Sequence, residues 1–333
     1  MKLYPDPTFA ASLFAEGRLD TAFCRVIVPA ATEVGVDPGS GDYLWLMRYG
    51  LRGDHWKIRF HGEKTAAEAF RAAVEHHAAT YFEALPDEPE DAKRITSAVP
   101  IDAEESGPGG DEKQPHGLQT IGYRRSHVGL GSAVLHRQDA YCAAFTRALS
   151  HGTAALIEGV DPENDSEWSH GARFSFLLKI LADGLAELEL GAEAAQAYIS
   201  YHRDTLLRST DKEDAEAIAD GKALFDRRLA KMADGGARLV DFVKSRFAGV
   251  RGATGTKSPA GLWRGGLARG LAEIEPLVAA SAEDINTYAD NPLFLPIFKL
   301  FQSTSNQIGL NVIEEAYVHH ILLRAVSAGE VSS

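Results

Sequence analysis

Cysteine is scarce in this sequence: Cys24 and Cys142 are the only two among 333 residues. Two cysteines are too few for a disulfide framework or a cysteine-based metal cluster, so a reducing compartment is expected. Long apolar runs are also missing, and none approaches the roughly 20 residues of a membrane span. The opening residues, MKLYPDPTF, lack the apolar segment of a signal peptide. We therefore expect a cytoplasmic protein with no membrane partner.

Basic residues are outnumbered by acidic ones, 34 Lys and Arg against 47 Asp and Glu, for a formal net charge of −13. Such a charge disfavours nonspecific attraction to nucleic acid or to anionic lipid, so no nucleic-acid partner is expected. Apolar residues make up 45% of the chain, enough to bury a sizeable core.

Short alternating segments and longer helical patterns divide the chain. Two alternating segments predict a β-hairpin with strands near 42–49 and 55–61, and an alanine-rich amphipathic pattern predicts a helix over 63–85. The apolar segment 20–36 fits either a helix or a buried strand. Further strands are predicted in RITSAVPI and GLQTIGYRRS, a helix in AVLHRQDAYCAAFTRALSHGTAALIEG, and a flexible loop over 102–116.

Helical patterns dominate after about residue 165, where strand signals are scarce. We predict the α+β class: a mixed β-sheet with flanking helices in the first half, and a helical elaboration in the second. The sheet part covers about 1–160 and the helical part about 165–330, within a single domain of 1–333.

The second hairpin strand concentrates basic and titratable side chains on one side. Strand alternation places His55, Lys57, Arg59 and His61 on one face and Trp56, Ile58 and Phe60 on the other. Taken alone, the pattern fits a solvated outer face as well as a surface that holds a peptide or stabilises an anionic intermediate.

Common cofactor and metal motifs fit poorly. RGATGTKS lacks the Gly directly before Lys that a phosphate loop needs, and GLGSAV lacks the third Gly of a dinucleotide fingerprint. Glu315 and His319 are four residues apart and share a helix face, but no HExxH motif or cysteine pair accompanies them. A structural role is favoured for both, so we expect no metal and no organic cofactor.

Three segments resemble one family. WLMRYGLRGDHWKIRFHG, 45–62, resembles the W-x-x-x-R-Y-x-x-G-x-H-L-R-L-R-F-x-G hairpin of the C-terminal, elimination domain of class I lanthipeptide dehydratases. TIGYRRSHVGLG, 120–131, is similar to its Y-x-x-E-x-x-x-Y-G-G segment, and LFQSTSNQIGL, 300–310, to its H-x-x-x-N-R-x-G segment. The order and spacing agree over most of the chain.

The resemblance implies one of two activities, both on ribosomal precursor peptides and both without metal or organic cofactor. One eliminates glutamate from glutamylated Ser or Thr in a split dehydratase. The other is the thiopeptide pyridine synthase, which joins two dehydroalanines by a formal aza-[4+2] cycloaddition, loses water and expels the leader peptide. A noncatalytic leader-binding scaffold is a third possibility. The oligomeric state is left open.

Departures from the family pattern favour the pyridine synthase. Gln302 stands where the elimination enzymes have His, Gln307 where they have Arg, and Ser126 where they have Glu. These changes deplete the ionic groups for glutamate elimination, whereas a cycloaddition depends more on positioning and neutral hydrogen bonds. The expected partner is therefore a leader-bearing precursor peptide with a dehydrated, azole-containing core.

The resemblance also assigns roles to residues, and Tyr288, just before ADNPLF, is added as a proton-transfer candidate. Expected catalytic residues are Ser303, Ser305, Asn306, Gln302, His55, Tyr123 and Tyr288. Expected substrate- or leader-binding residues are Arg48, Lys57, Arg59, Arg125 and Trp45. Alternatives stay open for several of them: Arg48 pairing with a surface carboxylate, Tyr123 in the core, and the 302–306 group as polar packing or caps at a helix start.

Overall fold

The structure is a computed structural model. It describes residues 7–15, 17–37, 41–49, 54–85, 117–120, 139–160, 169–188, 190, 192–208, 213–232, 234–249, 259–280 and 293–329. Several predicted features lie outside the described residues: Tyr123, Arg125, Tyr288, the RITSAVPI strand, the loop 102–116 and the segment 121–131.

A four-stranded sheet forms in the first half of the chain. Its strands are β1 (Phe9–Phe14), β2 (Tyr43–Tyr49), β3 (His55–His61) and β4 (Gly117–Thr120), in the spatial order β2-β3-β1-β4. The predicted hairpin is confirmed as β2 and β3. All three pairings described are antiparallel, where a mixed sheet was expected.

Helices make up most of the remaining described residues, which confirms the α+β class. They are α1 (Leu19–Ala22), α2 (Val28–Val34), α3 (Lys64–Glu83), α4 (Asp139–Glu158), α5 (His170–Glu187), α6 (Ala192–Leu207), α7 (Asp214–Lys231), α8 (Asp234–Gly249), α9 (Pro259–Ala279), α10 (Phe294–Ile308) and α11 (Val312–Gly329). The helix predicted over 63–85 is α3. None of the described helices is both long and apolar enough to cross a membrane.

The ambiguous segment 20–36 is helical and contains a π-helical turn, Phe23–Ile27, between α1 and α2. Pro29 comes two residues after the end of this turn, near the start of α2. Proline lacks an N–H and its ring clashes with the carbonyl four residues earlier, so a regular α-helix is strained there. The wider π turn relieves that clash and keeps the segment helical. The segment ends at Gly35, whose φ of 70° is the left-handed conformation of a helix C-terminus.

Two compact units divide the chain. Unit 1 comprises 1–169 and 270–285, and unit 2 comprises 170–269 and 286–333. In unit 1, α3 packs on α2 and the π-helical turn, while α4 packs on β2. In unit 2, α11 packs against α6, and α8 against α5 and α11. The single-domain organisation stays a prediction.

Aromatic side chains fill both cores. In unit 1, Trp56 is fully buried and its indole N–H donates to the Leu19 carbonyl at 2.9 Å. The Phe60 and Phe70 rings stack with centroids 5.1 Å apart, which fixes α3 against the sheet. In unit 2, the centroid of the Phe301 ring lies 5.8 Å from that of Trp263 and 5.7 Å from that of Tyr198.

Candidate active site

The hairpin register separates the predicted binding residues onto two faces of the sheet. Side chains directly opposite one another on paired strands point to the same side. Trp45 lies opposite Arg59, whereas Arg48 lies opposite Trp56. Arg48 and Arg59 therefore lie on opposite faces, and the two arginines do not form one wall.

The Arg59 face is buried rather than solvated. His55 is 4% exposed and Arg59 7%. The Arg59 guanidinium carbon lies 4.4 Å from the Trp45 ring centroid, a cation–π contact. His55 stacks on Phe14 at 4.4 Å, and Lys57 is half-buried. The interpretation of this strand as a solvated outer face is wrong for these residues.

Arg48 contacts Trp56 and Asp20 on the opposite face. Its guanidinium carbon lies 4.7 Å from the Trp56 ring centroid, and it forms an ion pair with Asp20. Asp20 is about one-third exposed, so Arg48 does pair with a carboxylate near the surface, as the alternative to peptide binding expected. Its role in peptide binding stays a prediction.

The 302–306 group lies at the end of α10. The expected position at a helix start is wrong, because α10 begins at Phe294 and ends at Ile308. Ser303 and Ser305 are buried, while Gln302 and Asn306 are half-buried. The Lys299 ammonium donates to the Gln302 side-chain oxygen at 2.9 Å.

Lys299 was not recognised in the sequence. Burial lowers its pKa, which makes proton release easier than for an ordinary lysine. Its position one turn before Gln302 places a proton donor beside the predicted catalytic group. No sequence motif marks it, since an isolated lysine in an apolar helix has no spacing signal.

A buried cluster of titratable residues lies beside Ser305. It consists of His202 on α6 with Glu315 and His319 on α11, which we call the His–Glu–His cluster. Only the spacing of Glu315 and His319 was visible in the sequence. All three side chains are at most 8% exposed.

Burial shifts the pKa values in the His–Glu–His cluster strongly. It raises the pKa of Glu315 to about 7, partly opposed by His319 and by the Ser305 hydroxyl. Burial, together with a smaller effect of the Lys299 charge, lowers the pKa of His202 to about 3. Burial likewise lowers the pKa of His319 to about 3. Uncharged forms are thus favoured for both imidazoles, and Glu315 can exchange a proton near neutral pH.

The predicted site residues fall into two groups by unit. His55, Lys57, Arg59, Trp45 and Arg48 belong to unit 1. The 302–306 group, Lys299 and the His–Glu–His cluster belong to unit 2. Their catalytic and binding roles stay predictions.

One solved structure matches almost the whole chain. It is a pyridine synthase, TbtD, from thiomuracin biosynthesis, with a TM-score of 0.61, 16% sequence identity, and coverage of 98% of this chain and 99% of that one. The chain shares its fold with TbtD. This likeness matches the family and the branch that the sequence motifs resemble.

A second solved structure is the tRNA-dependent lantibiotic dehydratase MibB from Microbispora sp. 107891. Its TM-score is 0.49 at 16% identity, with coverage of 97% of this chain and 28% of that one. No protein-family model matches the sequence, and no curated protein matches it.

Proposed function

We propose that the chain is a pyridine synthase of thiopeptide biosynthesis. The observation that carries this proposal is the fold shared with TbtD over 98% of this chain and 99% of that one. The three motifs on 45–62, 120–131 and 300–310 support it independently, because they resemble the same family in the same order. The substrate would be a leader-bearing ribosomal peptide with two dehydroalanines.

Gln302 favours cycloaddition over glutamate elimination. Elimination of glutamate needs a base to remove the α-proton and cationic groups to hold the departing carboxylate. The family's His and Arg positions hold Gln302 and Gln307 here. A neutral amide neither removes a proton at neutral pH nor neutralises a carboxylate.

The proposed reaction begins with a tautomerisation. The amide N–H proton of one dehydroalanine moves to the preceding carbonyl oxygen, which creates an azadiene. The azadiene forms two carbon–carbon bonds with the second dehydroalanine. Loss of water and then of the leader carboxamide gives the pyridine. No oxidant is needed, since both eliminations raise the unsaturation of the ring.

Neutral hydrogen-bonding groups at the end of α10 suit the tautomerisation. An amide accepts and donates hydrogen bonds at once, so Asn306 or Gln302 can stabilise both the amide and the iminol. Lys299 adds a donor whose pKa burial lowers. Holding the two alkenes in contact supplies several more kcal/mol by positioning alone.

Mass spectrometry tests the proposal directly. The purified protein is incubated with a leader-bearing peptide that carries azoles and two dehydroalanines. We expect loss of water, release of the leader as a carboxamide, and new pyridine absorbance. The matched control is the same peptide with one dehydroalanine replaced by alanine, which can form no ring.

Two outcomes would overturn the proposal. Loss of glutamate from a glutamylated peptide, without pyridine formation from the dehydrated one, would assign the elimination activity. Binding of the leader without turnover of either peptide would assign a scaffold.

A further inference from the structure

The His–Glu–His cluster brings three ligand-type atoms together inside unit 2. One such atom from each of His202, Glu315 and His319 lies within 4.8 Å of the other two. Glu315 and His319 are one helical turn apart on α11, so both face α6, which packs against α11 and carries His202. Residues distant in sequence thus converge on one buried point.

Hydrogen bonds on the far side of each imidazole orient the Nε2 atoms toward that point. His319 Nδ1 lies 2.9 Å from the Glu315 backbone carbonyl, which can only accept, so Nδ1 carries the proton. The lone pair of His319 therefore resides on Nε2. His202 Nδ1 contacts the Tyr198 hydroxyl at 3.3 Å. Such a hydrogen bond on the second ring nitrogen is what metal-ligating histidines have.

The three converging atoms approach one another without hydrogen-bonding. His202 Nε2 lies 3.2 Å from Glu315 Oε1. Yet neither atom, nor His319 Nε2, has a hydrogen-bond partner among the described residues. Two ligands about 2.0 Å from a tetrahedral ion lie roughly 3.3 Å apart. The spacing therefore fits lone pairs that point at a shared ion rather than at each other.

We propose that His202, Glu315 and His319 bind one divalent transition-metal ion, with Zn²⁺ as the class of ion that fits best. Two imidazoles and one carboxylate suit Zn²⁺ and disfavour Mg²⁺ or Ca²⁺, which prefer oxygen ligands. The carboxylate offsets part of the ion's charge. The nearby Arg203 guanidinium is paired with Asp204 at 2.7 Å, which reduces its repulsion of the ion.

A bound ion would link α6 to α11 through its ligands and so stabilise the packing of these two helices. A metal that binds the folded chain stabilises it in proportion to the logarithm of its concentration. The site lies within unit 2, and its assignment is independent of the pyridine synthase proposal.

Metal analysis of the tag-free protein tests the proposal. Chelator-treated protein is refilled with Zn²⁺ or Co²⁺, dialysed and measured by mass spectrometry of the metal. We expect about one equivalent per chain, and visible Co²⁺ absorption of the strength that four-coordinate sites give. His319→Gln and Glu315→Gln should each weaken binding at least 10-fold.

His320→Gln is the matched control, because His320 neighbours His319 on α11 but contacts Asp226 instead, at 3.0 Å. It should keep the full equivalent of metal. Circular dichroism establishes that each variant is folded. If a variant unfolds, the Co²⁺ spectrum of the wild-type protein decides alone.

Two results would overturn the metal site. One is a folded wild-type protein that takes up no Zn²⁺ and gives no Co²⁺ absorption. The other is full uptake by folded His319→Gln and Glu315→Gln variants. Either would mean that the His–Glu–His cluster does not bind the metal.

Discussion

Arg59 lies over the ring of Trp45, with its guanidinium carbon 4.4 Å from the ring centroid. Both side chains are buried, at 7% and 5% exposure. The attraction between a cation and an aromatic face is stronger when the pair is buried than when it is in water, because less solvent competes for the charge. The contact makes Arg59 a stabilising residue of unit 1, whatever its part in peptide binding.

Replacing Arg59 with Lys should therefore lower the free energy of unfolding by about 2 kcal/mol. Lysine keeps the charge but loses the planar group that stacks on Trp45. Urea unfolding measures the change. Arg71→Lys is the control, since Arg71 is 53% exposed and its pair with Glu75 should be worth only about 0.5 kcal/mol. Equal effects of the two substitutions would contradict the prediction.

Arg246 compensates the charge of a fully buried carboxylate, Asp183, by a two-pronged contact with Nε at 2.7 Å. Arg246→Met should destabilise unit 2 by about 3–5 kcal/mol, because it leaves that carboxylate buried and uncompensated. Asp183→Leu combined with Arg246→Met should recover most of the loss. Thermal unfolding compares the three proteins, and additive losses in the double variant would argue against a direct pair.

Gly270 on α9 makes a close approach to α4 inside unit 1. A Cβ atom at this position would collide with the Ala148 side chain. Gly270→Ala should cost about 1–3 kcal/mol of stability. Gly265→Ala on the same helix meets only the Arg269 side chain at 3.6 Å and should gain about 0.5–1 kcal/mol. Changes of the same sign at both positions, measured by urea unfolding, would refute the close approach.

Glu315 should make stability depend on pH in the chelator-treated protein. Its ordinary pKa is 4.5 and burial raises it to about 7, so the folded chain holds a proton that the unfolded chain releases between these values. Its contribution is therefore present below pH 4.5 and lost as pH rises through 7. His202 and His319 have the opposite effect on stability: between pH 3 and 6.5 the unfolded chain binds more protons at these residues than the folded chain, so stability increases as pH rises.

Glu315→Gln isolates the carboxyl contribution. As pH rises from 4.5 to 7, the free energy of unfolding of the variant should increase by on the order of 3 kcal/mol relative to that of the wild type. Urea unfolding at a series of pH values measures the difference. A difference that does not change with pH would show that Glu315 has an ordinary pKa in the folded protein.

Asn306 is the half-buried amide of the predicted catalytic group on α10. Asn306→Ala should lower the rate of pyridine formation by about 10²–10³-fold, as loss of a single transition-state hydrogen bond does. The control is Thr304→Val, because the Thr304 hydroxyl donates to the Leu300 carbonyl of its own helix at 2.9 Å. Similar rates for both variants, measured by chromatography of the product, would remove Asn306 from the mechanism.

Hydrophobic periodicity in the sequence correctly predicted the hairpin strands and the helix α3. The period of two in 42–49 and 55–61 gave both strands of the hairpin within a residue or so, and the alanine-rich helix over 63–85 is α3. The π-helical turn was not predictable, since a period of 3.6 carries no signal for one wide turn. The same is true of burial on both faces of β3, which alternation within the strand does not reveal.

The candidate site also depends on contacts between distant parts of the sequence, which local patterns do not reveal. The spacing of Glu315 and His319 was visible, but His202 is more than one hundred residues away and no motif links it to them. Long-range packing of α6 on α11 creates the His–Glu–His cluster. Likewise, the separation of Arg48 from Arg59 required the register of β2 against β3, which sequence alternation alone did not supply.

Neither unit is a continuous stretch of chain, because α9 begins in the residues of unit 2 and ends in those of unit 1. A polypeptide ending at residue 169 would carry α4 without Gly270 and without Glu273, the partner of Arg147. A polypeptide starting at 170 would carry that helical end away from the residues it packs on. A division of the chain at this boundary would therefore separate the end of α9 from the α4 residues that it contacts. A functional split would have to keep α9 and α4 in the same piece.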